Sequence, residues 1–239
     1  MSGQPRRITL GATRFDDARA SLDLALGLAA EARAMLRGLL IEEEGILAFA
    51  ARSGARALGP GGQPVPEVTA ERMRAAFRAD AARFRRLIEQ MAGQRGLDWS
   101  FAQERGRLAA LATAQGGPDD LLILSGEASR SRPAQVVLLV RDGSDPGLAG
   151  LTAEAARILA AGRPVRVLAL RGSDLTALPP GARVEQAETE AALGAQIARL
   201  GTGAVLVADR GALSGPVRVA LLAARCTRLL RAAQPGTTG

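Results

Sequence analysis

Apolar residues fall in two kinds of run along this chain, and their alternation predicts strands and helices in turn. Val136 to Val140 is an uninterrupted apolar segment, as a parallel strand buried on both faces requires, and Val165 to Leu170 is a second β-rich run of similar length. Between them Leu148, Leu151, Ala155, Ile158 and Leu159 recur at helical spacing. The order is one βαβ unit, with the Asp142-Gly143-Ser144 turn joining the first strand to the helix. Open α/β sheets bind ligands at such a turn, outside the carboxyl ends of the strands.

The start of the chain repeats this order. Ile8 to Ala12 reads as a strand, Leu22, Leu24, Ala25, Leu28, Ala29 and Ala32 mark a helix, and Met35 to Ile41 reads as a second strand. Each copy closes with a further apolar strand, Asp120 to Leu124 and Ala204 to Ala208, each preceded by a short helix. Such repetition predicts duplication of one unit, with a boundary in the polar 127–133 stretch and domains of 1–133 and 134–239.

The first half carries further elements. A Gly/Pro-rich stretch from Gly59 to Pro66 precedes a long helix predicted over Glu67 to Gln94, whose apolar face is Met73, Phe77, Ala81, Phe84, Leu87, Ile88 and Met91. Gly96 ends it, and Leu97, Trp99 and Phe101 then alternate as a third strand facing that helix. The triplet Glu42-Glu43-Glu44 follows the second strand. Consecutive carboxylates share no face of a regular element, so it reads as a solvated cluster at the start of the Ile46 to Ala51 segment and not as a metal site.

Composition removes whole classes of chemistry. The sequence has no histidine, tyrosine or lysine, so its 31 basic residues are all arginine. A Ser-His-Asp triad, a histidine metal site, a Schiff-base lysine and a P-loop lysine are therefore excluded within this chain. The single cysteine, Cys226, lies in an apolar neighbourhood and reads as an inert buried thiol. The formal net charge of +7 is spread through every segment, and the chain has one tryptophan and five phenylalanines, so neither a basic stripe nor stacking platforms for specific nucleic-acid binding emerge. No run reaches the roughly twenty apolar residues of a membrane span, and the stretch after Arg6-Arg7 is too short for a signal peptide. The expectation is a soluble, cytoplasmic protein without membrane insertion.

In the order of its elements the sequence resembles the universal stress proteins in tandem arrangement. The residues that carry the resemblance are the opening strand and helix, Arg37 to Glu42, the long central helix, the Trp99 strand, Asp119 to Leu124, and the Asp142-Gly143-Ser144 opening of the second half. The resemblance implies an α/β fold of two tandem doubly wound, Rossmann-like parallel-sheet domains of the adenine nucleotide alpha hydrolase type, with strand order 3-2-1-4 and a fifth strand where present. It also implies ATP or AMP binding in some members. Those place an aspartate after the first strand, near the adenine, and hold ribose and phosphates on a glycine loop after the fourth.

This chain departs from that pattern. Asp142 matches the aspartate in the second half, but Thr13 stands there in the first. After the fourth strands the first half offers only Gly126, and the second offers Gly211, Ser214 and Gly215 in a spacing one residue too long, with Arg225 and Cys226 where the terminal Gly-Ser/Thr belongs. Glycines matter at a phosphate because backbone N–H groups must approach its oxygens unobstructed. Asp142, Gly143, Ser144, Gly211, Ser214 and Gly215 are thus the cofactor-binding candidates, and Ser214 to Pro216 is equally an ordinary helix start.

The stretch from Ser125 to Gln135 cannot hold a helix and a fifth strand, so the first domain must end at its fourth strand or borrow an edge. A short Arg171 to Arg183 connection replaces the long helix in the second half. The resulting expectation is a non-catalytic regulatory or interaction module, with intramolecular pairing of the two halves, a homodimer as a further assembly, an unidentified protein partner and no cofactor. The alternatives are an ATP- or AMP-binding stress-response protein using the second-half site, and a metal-assisted hydrolase built on Asp142, Ser144 and Asp145.

Overall fold

The computed structural model describes residues 7–52, 69–108, 110, 120–126, 134–141, 156, 159–176, 178–209 and 215–231. Its elements are β1 (Arg7–Ala12), α1 (Phe15–Ala32), β2 (Met35–Glu43), α2 (Glu44–Ala50), α3 (Ala70–Gln94), β3 (Trp99–Gly106), β4 (Asp120–Leu124), β5 (Gln135–Val140), β6 (Arg166–Leu170), β7 (Arg183–Ala187), α4 (Glu190–Ala198), β8 (Ala204–Asp209), α5 (Gly215–Ala223) and β9 (Thr227–Arg231). The strands form one nine-stranded sheet in the order β3-β2-β1-β4-β9-β8-β5-β6-β7.

Both halves of that order read 3-2-1-4, and in the second β9 follows as a fifth strand. All pairings are parallel except β4 with β9, where Leu121 lies opposite Arg231 and Leu124 opposite Arg228. β9 is parallel to β8 on its other side, so one strand completes the second set and covers the open edge of the first. The expected borrowed edge is this strand. The predicted boundary, 127–133, lies outside the described residues.

The central strands are apolar on both faces because both faces are covered. Val136, Leu138 and Val140 join the core under α1, α3 and the helical residues Ala156, Leu159 and Ala160. Val137 and Leu139 alternate to the other face and join Leu193, Ile197, Val217 and Leu221 of α4 and α5. Of the predicted second-half helix, Leu159 is described and packs into the first core, whereas Leu148, Leu151, Ala155 and Ile158 lie outside the described residues.

The long helix begins at Ala70, later than the predicted Glu67. Thr69 is the reason: its backbone is extended and its hydroxyl accepts the Arg72 N–H at 3.2 Å, capping the first turn. Gly96, at φ 62, turns the chain out at the other end. Phe77, Ala81, Phe84, Ile88 and Ala92 form the buried stripe, with Leu87 and Met91 half-buried beside it.

That stripe approaches β2 where β2 has no side chain. A Cβ on Gly38 would lie 2.0 Å from Ile88 Cδ1 and 3.4 Å from Phe84 Cζ. Phe84 meets Phe101 of β3 edge to face, ring centroids 5.6 Å apart. Trp99 lies between the sheet and the flanking core as expected, but β3 is an edge strand and the ring is half-buried, not fully enclosed.

Candidate functional site: the two switch points

In each strand set the order reverses between the first and fourth strands, and the carboxyl ends there form the crevice where α/β sheets hold ligands. In the first set these strands are β1 and β4. The carboxyl end of β4 is tied to the backbone on both sides of it. Ser125, just past β4, donates its backbone N–H to the Gly11 carbonyl at 3.0 Å and its hydroxyl to the same oxygen at 3.2 Å. Gly126 is pressed on the segment leading into β9: a Cβ there would lie 2.3 Å from the Arg225 carbonyl oxygen and 2.4 Å from the Cys226 carbonyl carbon. The glycine that stood where a phosphate loop would begin therefore serves a backbone crossing.

Arg228 adds a further tie. Its guanidinium donates to the carbonyls of Ser125 at 2.7 Å, Leu222 at 2.9 Å and Ala224 at 3.0 Å, tying the end of β4 to the last turn of α5. The residue is 3% exposed. Burial pulls its pKa below the ordinary guanidinium value, against the fields of Cys226 and of Asp17 in the first turn of α1. Burial likewise pushes the Cys226 thiol above its usual range, so the sulfur is held as the unreactive thiol expected of it.

The amino end of α1 has no side-chain cap of its own. The Asp80 carboxylate of α3 reaches across to accept the Phe15 N–H at 3.1 Å. Thr13, just after β1, is half-buried.

The second switch point lies between β5 and β8. Of the residues predicted to bind a ligand there, Asp142, Gly143, Ser144, Gly211 and Ser214 lie outside the described residues. Gly215 is described: it opens α5 at φ 64, with Pro216 behind it in the first turn, as a helix start requires. Its neighbour is a carboxylate. Glu190 Oε2 lies 2.8 Å from where a Gly215 Cβ would be, and the Arg141 guanidinium donates to the other oxygen of that carboxylate. Asp209, the buried last residue of β8, lies beside Arg231 in the sheet.

Arg141 and Glu190 were not among the sequence candidates. Glu190 follows Thr189, whose hydroxyl accepts the Ala192 N–H at 3.2 Å, so in sequence it reads as an ordinary first-turn acid of α4. What it does at the sheet depends on α4 and α5 starting side by side.

The acidic triplet is divided among different partners. Glu42 accepts from Gln103, Glu43 accepts the Leu108 N–H at 2.8 Å, and Glu44 opens α2 at 3.9 Å from Arg105. Among the described residues no three His, Cys, Asp or Glu side chains gather closely enough to hold a metal ion.

This architecture has known counterparts. Over 95% of this chain and 93% of the other, it superposes on a putative universal stress protein from Pseudomonas aeruginosa UCBPP-PA14, with a TM-score of 0.51 at 13% identity. A universal stress protein from Archaeoglobus fulgidus DSM 4304 matches over 96% and 97% of the two chains, with a TM-score of 0.51 at 10% identity. The chain has the universal stress protein fold. No protein-family model matches the sequence, and no curated protein matches it. The likeness is therefore one of architecture, and it extends over both strand sets. Among the described residues no helix is long and apolar enough to cross a membrane.

Proposed function

We propose that the protein is a non-catalytic, cytoplasmic member of the universal stress architecture that acts through protein contacts, with adenine-nucleotide binding lost or weak. The observation that carries this reading is the packing of buried Arg228 and the Arg225–Cys226 backbone against the chain as it leaves β4, beside the first crevice. A phosphate entering there would have to displace a buried guanidinium from three carbonyls. At the second crevice, the Glu190 carboxylate, paired with Arg141, already occupies the amino end of α5 where a phosphate would sit. In this reading the two strand sets descend from one duplicated unit and pair within the chain through β9. The outer edges β3 and β7 remain for a homodimer or another partner.

A second reading keeps ATP or AMP at the second half, held by Asp142, Gly143, Ser144, Gly211, Ser214 and Gly215. Gly215 favours it, because a positive-φ glycine at a helix start leaves backbone N–H groups open to an anion. A hydrolase on Asp142, Ser144 and Asp145 has no histidine or lysine base available and needs a metal to replace one. Acid extraction of protein purified under native conditions, followed by chromatography of the extract, separates the first two readings. The expected result is no adenine nucleotide; a stoichiometric amount of ATP or AMP would overturn the proposal.

A further inference from the structure

β7 is the outer strand of the second set, and one side of it is open. Arg183 turns its N–H inward to the Val165 carbonyl at 2.8 Å, and Ala187 turns its carbonyl inward to the Arg171 N–H at 2.9 Å. Backbone groups alternate from one side of a strand to the other, so Val184 and Gln186, lying between, turn theirs outward. Among the described residues nothing pairs with them there. The side chains are equally open. Arg183, Val184, Glu185 and Gln186 are all exposed, and Val184 is a large apolar residue at 41% exposure.

Such an edge is a template for another strand, and its own sequence supplies the complement. When a strand pairs antiparallel with a second copy of itself about a two-fold axis normal to the sheet, opposed residues lie on the same face. Positions two apart can therefore meet, and adjacent positions cannot. Arg183 and Glu185 are two apart. Centred on Val184, the pairing sets Arg183 of each copy opposite Glu185 of the other, with Val184 against Val184 between them. The valines then exchange two N–H···O bonds, and the charges fall at non-hydrogen-bonded positions, where opposed side chains are closest. Arg183 is available for this: it makes no ion pair with a described residue. Glu185 accepts Nε and Nη2 of Arg166 on separate oxygens at 2.8 Å, which leaves each oxygen a lone pair for an arriving guanidinium.

The other outer edge lacks this match. In β3 the opposite charges Glu104 and Arg105 are adjacent, so they lie on opposite faces and no such pairing brings one to the other. At β7 the neighbouring register, centred on Glu185, would set that carboxylate against its own copy, which disfavours it.

We propose that the protein forms a homodimer through β7, antiparallel about Val184, so that the sheets of two copies become continuous. This dimer deepens the reading of the protein as an interaction module, and the two fail separately. Nucleotide in the acid extract overturns that reading and leaves the dimer standing, whereas a monomer overturns the dimer alone.

Sedimentation equilibrium of the full chain at up to about 200 µM reads the assembly, and the expected dissociation constant is below about 100 µM. Val184→Pro removes an N–H that faces outward, so the β6–β7 ladder keeps its bonds, and the dimer should weaken at least about tenfold. Arg183→Glu and Glu185→Arg each set like charges against each other at both symmetric positions and should weaken it by about as much. An equimolar mixture of those two variants sets opposite charges together again and should form a heterodimer. Thermal melts check that each variant folds; Val184→Pro and Arg183→Glu decide the matter if Glu185→Arg, which also strands Arg166, does not. A monomer at the highest concentration, or a dimer that Val184→Pro and Arg183→Glu leave intact, would overturn the proposal. So would a mixture of folded charge variants that stays monomeric.

Discussion

Arg228 of β9 donates to the backbone carbonyl of Ser125 at 2.7 Å, so a side chain near the end of the second strand set closes the carboxyl end of β4 in the first. The same guanidinium serves two carbonyls at the end of α5, and it is buried. Truncation to Arg228→Ala strands these acceptors and leaves a cavity, and should cost about 2 to 4 kcal/mol in urea unfolding. Arg228→Lys keeps the charge but cannot spread three donations across the junction, so it should recover less than half of that loss. Wild-type stability in Arg228→Ala would show that the closure is not held by this residue.

The close approach of α3 to β2 predicts a coupled pair. Gly38→Ala puts a methyl group 2.0 Å from Ile88 Cδ1 in a fully buried site, and overpacking of this kind costs about 1 to 3 kcal/mol. Ile88→Val removes that Cδ1. The double variant should therefore be more stable than Gly38→Ala alone, giving a favourable interaction of about 0.5 kcal/mol or more in a double-mutant cycle. Additive losses would mean that the contact is relieved some other way.

Trp99 is half-buried on the edge strand, packed beside the core that α3 covers. Full burial of such a ring would put the cost of truncation at about 3 to 5 kcal/mol, so Trp99→Ala should fall below that range. Native emission should be moderately blue-shifted and should move red on unfolding. Adenine nucleotide should leave it unchanged, because Trp99 lies opposite Leu36 at the amino end of β2, at the other end of the strands from either crevice.

Much of the fold was legible because buried parallel strands are written as plain apolar runs. β4, β5 and β8 announce themselves this way and β1, β2 and β6 nearly so, with Thr9, Arg37 and Arg166 as their polar positions, and Phe77, Phe84 and Ile88 mark the face of α3. β7 and β9 do not. In β7 the sequence Arg-Val-Glu-Gln-Ala is exposed at its first four positions, as an edge strand allows. In β9 every residue is buried, yet Arg228 and Arg231 are among them, and buried arginines disguise a central strand as a surface one. The site suffered likewise. Gly126 was read against a phosphate loop, whereas its true neighbour is the Arg225 carbonyl, and that contact exists only because β9 returns to lie antiparallel to β4.

Burial holds Cys226 as the thiol, which makes its reactivity and its linkage to pH predictable. Its pKa is raised on folding, so its contribution to stability is complete below the unfolded thiol value of about 8.5 and is lost as pH rises from there toward the folded value. Stability in urea should fall across that window in the wild type and fall less in Cys226→Ala. Labelling by a thiol reagent should proceed no faster than unfolding; rapid labelling of the native protein would contradict the burial.

Titration calorimetry with ATP tests the central claim most directly. If Arg228 and the Arg225–Cys226 backbone hold the end of β4 beside the first crevice and the Glu190 carboxylate occupies the start of α5 at the second, no site tighter than about 10 µM, about 7 kcal/mol of binding, should exist at either switch point. A dissociation constant at or below about 10 µM that Asp142→Ala weakens would contradict it.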